Sequence, residues 1–151
     1  MRILHVVPTY LPARRYGGPI VAVHGLCKAL VARGHEVDVF TTNVDGDQTL
    51  DVPVATAVNL DGVRVRYFPS PFRRLYWSPA MRNALAANAG TYDVVHIHAV
   101  YLWTGIAAAR AAHQANVPYV ISPRGMLVPE LIRRKSRFVK TLWLRLLERP
   151  G

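Results

Sequence analysis

The chain has 151 residues, 51% of them apolar, which is the size and composition of one globular domain with a buried core and excludes a disordered chain. Its single cysteine, Cys27, excludes an internal disulfide and any zinc-finger spacing, and no apolar window is long enough for a membrane span. The formal charge of +10 is concentrated late: residues 124–149 carry eight Lys or Arg against two Glu, a field that attracts phosphates, nucleic acid or anionic lipid without choosing among them.

In chain order, "RILHVV" (2–7) reads as a buried strand, and its apolar run is too short for a signal peptide, so the cytoplasm is the expected compartment. "PTYLPARRY" (8–16) is a loop. From Pro19, the residues Ile20, Val23, Cys27, Leu30 and Val31 recur at helical spacing, with Pro19 suited to the first helical position and Gly34 to the C-terminal cap. "HEVDVFTT" (35–42) alternates as a second strand. Residues 43–61 are turn-rich with weak strand content near 54–58, and "VRVRYF" (63–68) is a third, less buried strand. A helix is expected from about Pro79, a buried strand in "YDVVHIH" (92–98), an Ala-rich helix over 102–116 and a further strand in "PYVIS" (118–122). Apolar strands alternating with helices predict an α/β fold, a mainly parallel sheet covered on both faces. Ligands then sit beyond the carboxyl ends of the strands, at the loops that begin near residues 8, 42, 68, 98 and 122.

The phosphate motifs with known mechanics are absent. The G-x-G-x-x-G fingerprint would follow the first strand directly, whereas here about nine residues intervene and the glycines Gly17 and Gly18 are adjacent; G-x-x-x-x-G-K-[ST] does not occur. Simple nicotinamide and ATP-hydrolase readings therefore fall. Two readings of Gly17-Gly18 stay open: a tight turn that caps the helix, or bare backbone that lets an anion reach the amides of Gly17, Gly18 and Ile20.

His98 ends its strand at the ligand edge, where it is a candidate catalytic residue able to bond a substrate hydroxyl or steady developing charge. His96 shares its side of the sheet. Two imidazoles alone make a poor metal site, so no metal and no cofactor are expected, and His96 and His5 read as packed, satisfied histidines. Arg124 and Gly125 in "SPRGML" belong to the same rim, as do Arg14 and Arg15 in the first loop, and arginines beside bare backbone suit a phosphate or sugar phosphate. Only Asp45, Asp47 and Glu130 come near the edge. The paired carboxylates of glycoside hydrolysis are therefore unsupported, and no Ser–His–Asp arrangement is evident.

Residues 129–149 place Leu131, Phe138, Leu142 and Leu146 on one helical face and basic residues over much of the rest. A helix packed on its own or a partner domain is one reading, and peripheral contact with an anionic inner-membrane surface is another. Nucleic acid is disfavoured because no aromatic–basic stacking platform accompanies the charge.

The opening "MRILHVVPTYLPARRYGGPIVAVHGLCKALVARGHEVDVFTT", the strand "YDVVHIH" and "VPYVISPRGML", taken in order, resemble the N-terminal domain of the family-4 retaining glycosyltransferases, and the resemblance covers essentially all of residues 1–151. It implies a three-layer Rossmann-like domain, the acceptor-side half of a two-domain GT-B architecture. A second domain would grip a nucleotide-sugar donor, UDP- or GDP-linked, and the acceptor would be a glycan or a lipid-linked glycan. The resemblance also implies that Gly17 and Gly18 bring backbone near the donor diphosphate, that His98 approaches the transferred sugar or the acceptor, and that Arg124 and Gly125 line the same edge. The donor half, with its paired glutamates, is missing from the sequence and the N-terminal half lacks its last element, so an isolated, inactive piece is expected. Two rivals stay open: a domain for another nucleotide or phosphorylated ligand, and a non-catalytic assembly domain.

Overall fold

The structure is a computed structural model that describes residues 1–126. The helix expected over 129–149 lies outside the described residues. Strand β1 spans Arg2–Val7, helix α1 Gly17–Ala32 and β2 Glu36–Thr42, followed by a small hairpin of β3 (Val44–Asp45) and β4 (Gln48–Thr49). Then come β5 (Ala57–Leu60), β6 (Val63–Phe68), α2 (Pro79–Asn88), β7 (Val94–His98), α3 (Trp103–Gln114) and β8 (Tyr119–Ser122). Six strands form one sheet in the order β5-β6-β2-β1-β7-β8, parallel throughout except for β5 against β6, so the expected α/β Rossmann-like layering is what the chain adopts.

The near-continuous apolar run of β1 follows from its central place, because a parallel strand with helices on both sides buries both of its faces. On one face Leu4, Val6, Phe40, Val95 and Ile97 pack under Met81 and Leu85 of α2 and the alanines of α3. On the other, Val7, Val37, Val39, Val63 and Val65 meet Val23 and Cys27 of α1. Small residues on α3 let that helix sit close to β7: a Cβ at Gly105 would lie 3.4 Å from Ile97. The arginines of β6 alternate outward as the sequence suggests. Arg64 makes a bidentate pair with Asp38 of β2, both contacts at 2.8 Å, and so cross-links two neighbouring strands.

The start of α1 and the strand content of the stretch after β2 differ from the sequence expectation. Helix α1 starts at Gly17 rather than Pro19, with Tyr16 at its N-cap. Proline is tolerated there because the third helical residue has no acceptor for an N–H in any case. At the other end Gly34, with φ +83°, closes the helix as expected, its N–H and that of His35 returning to Val31 and Leu30. The turn-rich stretch after β2 contains the β3–β4 hairpin, and its last strand, β5, turns antiparallel because only a short turn, Asp61-Gly62, separates it from β6.

The chain winds from β1 to β2 and β6 on one side, then crosses to β7 and β8 on the other. The carboxyl ends of β1 and β7 therefore flank the point where the winding reverses, and the crevice of an open α/β sheet opens there. Helix α2, which carries the chain across, begins on a buried Ser78 whose hydroxyl accepts a bond from the Met81 N–H at 3.2 Å, with Pro79 as first helical residue. Replacing the cap, Ser78→Ala, is expected to cost about 1 kcal/mol, read as a lower urea midpoint at unchanged slope.

Candidate functional site

The parallel register sets His5 of β1 directly beside His96 of β7, and strand alternation puts His98 on the same face one pleat further along. His5 and His98 are fully buried, with relative exposures of 0% and 2%. His5 Nδ1 lies 2.9 Å from His98 Nε2, and the rings are parallel within 8° at a centroid separation of 5.2 Å. Parallel rings so far apart bring nitrogens this close only edge to edge, so the contact is an in-plane hydrogen bond rather than a stack. On the other side of His98, the Nε and Nη2 of Arg124 stand 3.2 and 3.0 Å from Nδ1.

These contacts fix the proton positions. A guanidinium only donates, so His98 Nδ1 accepts and carries no proton. A neutral His98 then holds its proton on Nε2 and donates it to His5 Nδ1. His5 in turn keeps its proton on Nε2, a buried atom with no hydrogen-bond partner among the described residues. Both rings are held neutral. Burial is the main cause, reinforced by the neighbouring imidazoles and by Arg124, and it pulls His5 down to about 3 and His98 to about 2. His96 is lowered as well, by burial and by Arg124, and its Nε2 pairs with the Ser122 hydroxyl at 2.7 Å.

One ligand nitrogen from each of His5, His96 and His98 falls within 4.8 Å of the others, a spacing that three metal ligands can have. The donor set argues against a cation here. A metal on His98 Nε2 would displace the proton while Nδ1 accepts from Arg124, leaving an imidazolate, and the guanidinium repels a second cation at this range.

Around the histidines the backbone is strained. Ala99 (φ 73°), Tyr101 (φ 62°) and Arg124 (φ 52°) occupy the left-handed region on the loops that follow β7 and β8, beside Gly125 at φ 79°. Such conformations cost non-glycine residues about 1–3 kcal/mol each and concentrate at functional sites.

The expected rim residues divide into separate groups. The Arg15 guanidinium is paired with Asp47 and packs over Gly46, and the amides of Arg14 and Arg15 face the Asp45 carboxylate at 3.5 and 3.4 Å. Arg14 lines a cavity of about 520 Å³ with Leu11, Pro12, His24 and Asp61, bordered by α1 and β5. Hydrogen bonds from Tyr10 to His24 (2.9 Å) and from His24 to Asp61 (3.0 Å) tie the first loop to α1 and to the β5–β6 turn. Arg124, by contrast, engages His98 directly.

Gly17 and Gly18 open α1 with no atom within 4 Å of where a Cβ would project, and neither has a positive φ. The fold thus does not demand glycine at either position. The Gly17 N–H bonds back to Arg14 at 3.2 Å. Ile20, as fourth helical residue, is the first whose N–H reaches the N-cap carbonyl, so Gly18 is the first-turn amide left without an intrahelical acceptor.

Residues 17–151 match the glycosyl transferase 4-like domain family. The chain belongs to that family. Over 131 residues it is 34% identical to an uncharacterized glycosyltransferase of Methanocaldococcus jannaschii, an overlap of 81% of this chain and 30% of that protein. Over 133 residues it is 32% identical to a D-inositol 3-phosphate glycosyltransferase of Jonesia denitrificans, covering 80% of this chain and 30% of the relative. A protein of the same name from Thermomonospora curvata is 34% identical over 122 residues, 73% of this chain and 27% of its own length. The chain thus spans less than a third of the relatives it matches.

The sequence reads His5 as a packed, satisfied histidine; it is packed, but its Nδ1 is bonded to His98 and its Nε2 has no partner among the described residues. A histidine in mid-strand gives no sign of its neighbours until the β1–β7 register is known. Both buried imidazoles take up protons only on unfolding, where the ordinary value is 6.5. Between that value and their folded values the unfolded state binds more protons, so their contribution is complete above about pH 6.5 and is lost as pH falls, by up to about 1.4 kcal/mol per pH unit for each ring. Urea midpoints are expected to drop between about pH 7.5 and about pH 5, and to drop less in His98→Asn.

Proposed function

We propose that this glycosyltransferase domain is the acceptor-side half of a retaining enzyme of GT-B architecture, completed by a donor-binding half. The reaction moves a sugar from a nucleotide-sugar donor, UDP- or GDP-linked, to a hydroxyl of a glycan, a lipid-linked glycan or a phosphate-bearing polyol. The observation that carries this reading is the His98–Arg124 pair at the crevice between β1 and β7. A guanidinium exchanges a neutral imidazole for a phosphate with gain, since the phosphate brings an opposite charge and two oxygens that match the guanidinium fork, whereas both Arg124 nitrogens here share the single His98 Nδ1. Once Arg124 turns to a phosphate, His98 Nδ1 is free to accept a hydrogen bond from an acceptor hydroxyl. A phosphate next to hydroxyls, as in the inositol phosphate for which two of the relatives are named, suits that pair of groups.

Gly125, with open space beside it and a positive φ, keeps backbone accessible at the same edge. Gly17 and Gly18 serve the donor side. Their bare helix start offers the Gly18 amide and the positive end of α1 to the departing diphosphate, whose charge the site would stabilise without a protein nucleophile. Arg14 adds positive charge on the same loop, and Arg15, balanced by its exposed pair with Asp47, can do so only by exchanging that carboxylate for a phosphate. None of the described helices is long and apolar enough to cross a membrane. Peripheral contact with anionic lipid is a proposal that rests on the sequence of residues 129–149 alone.

Calorimetric titration of the chain with inositol phosphate and with inositol separates these roles. The phosphorylated form should bind more tightly, and Arg124→Ala should weaken it by about tenfold or more while barely changing the neutral form. Equal binding of both, unaffected by the substitution, overturns the reading. Gly18→Ala should raise the unfolding free energy by a few tenths to about 1 kcal/mol; a loss instead would show that glycine serves the fold.

A further inference from the structure

We infer that His5 is a positioning residue for His98, holding the imidazole so that Nδ1, and not Nε2, is the nitrogen presented at the rim. The inference rests on the proposed role of His98 toward substrate, but its geometry stands apart from that role. His98 has two polar atoms and two partners, Arg124 outside at 3.0 Å and His5 inside at 2.9 Å. Arg124 sits on a loop in a left-handed conformation at the strand ends, where a ligand can recruit its charge. His5 lies in the middle of the central strand, with 0% exposure and neighbouring strands on both sides. One bond is therefore exchangeable and the other is built into the sheet.

That asymmetry decides what happens when Arg124 leaves. A histidine ring turned over about its Cβ–Cγ bond exchanges the places of nitrogen and carbon atoms, and only hydrogen bonds distinguish the two orientations. With its Nε2–H held by His5 Nδ1, the ring keeps its orientation and its proton, and Nδ1 emerges as a bare acceptor. Without His5, the buried Nε2–H would be unpaired, at a cost comparable to the bond that holds the ring. The ring would then be free to turn and offer a carbon to the rim. His96 is tied to a different strand, its Nε2 pairing with the Ser122 hydroxyl of β8.

The arrangement also leaves a mark on His5. Its Nε2–H is buried and unpartnered among the described residues, a cost that a strand residue chosen for packing alone would not carry. Leucine or valine would fill the place without it. A histidine there is explained by the acceptor that its Nδ1 supplies.

The test is long-range proton–nitrogen correlation NMR on the ring-labelled chain, with His5→Asn and His5→Leu. Asparagine places an acceptor oxygen close to where His5 Nδ1 stands, whereas leucine removes it at similar volume. The wild type should show His98 with a bare Nδ1 and a protected Nε2–H. Exchange of that proton should accelerate about tenfold or more in His5→Leu and stay slow in His5→Asn. Adding inositol phosphate should then shift Nδ1 of His98 while Nε2 stays put. A wild-type His98 protonated on Nδ1, or an Nε2–H equally protected in His5→Leu, overturns the inference. If His5→Leu does not fold, an Nε2–H that loses protection in His5→Asn overturns it and retained protection supports it. Predicted ring signals with no response to inositol phosphate would uphold the placement of His5 and remove the proposed acceptor.

Discussion

Everything at this site depends on the parallel pairing of β1 with β7. That pairing makes β1 the centre of the sheet and places the reversal of winding beside it, so the crevice opens at the ends of these two strands. The same register sets His5 against His96 and brings His98 within hydrogen-bond reach of His5. Shifting the pairing by one residue would turn His5 toward α2 and α3, into the cluster that holds Leu4 and Val6. The hydrophobic pattern of β1, apolar on both faces with one histidine, is compatible with only one of those outcomes. A buried polar ring is tolerable only where a hydrogen-bond partner meets it, as His98 meets His5 here.

The electrostatic character of the site follows from this burial. Three imidazoles and a guanidinium occupy a small volume, yet the guanidinium is the only member that carries a charge. Desolvation holds His5 and His98 neutral, and the neighbouring rings and Arg124 push in the same direction. A neutral histidine with a fixed tautomer is a hydrogen-bonding group of defined polarity, not a proton reservoir. Groups of this kind suit the proposed role of orienting hydroxyls and phosphates, in which positioning and charge stabilisation would carry the chemistry. The left-handed backbone at Ala99, Tyr101 and Arg124 belongs to the same design: it aims short loops at the crevice, at a cost that the sheet beneath them sustains.

The first loop behaves differently from the loops after β7 and β8. Residues 8–16 are held by many small ties: Thr9 and Thr42 to backbone carbonyls, Tyr67 to the Leu11 carbonyl, Tyr10 through His24 to Asp61, and Arg15 to Asp47. Most of these sit on the side of α1 and the β3–β4 hairpin. The loop thereby carries Tyr16 and the start of α1 to a fixed place, and the bare glycines that follow are displayed by a rigid support rather than a flexible hinge. This changes the sense of the glycine pair. The turn reading has no backing in φ or in packing at either glycine, and the proposed role in ligand access is the alternative that remains to be tested by substitution.

The sequence by itself determined the layer architecture, because strand and helix periodicities are local and their alternation admits few topologies. It also determined the end of α1 at Gly34, the start of α2 at Pro79, and the edge of the sheet where His98 and Arg124 belong, since strand direction alone assigns loops to edges. Those readings needed only residue order. What the tertiary structure decided was register and partnership: that His5 stands beside His96, that Arg124 closes on His98 while Arg15 closes on Asp47, and that α1 starts at Gly17. The histidine and arginine partnerships depend on which residues from distant parts of the chain face one another. In a sheet whose strands come from positions 2–7, 94–98 and 119–122, that is set by packing of the whole core and not by any local pattern.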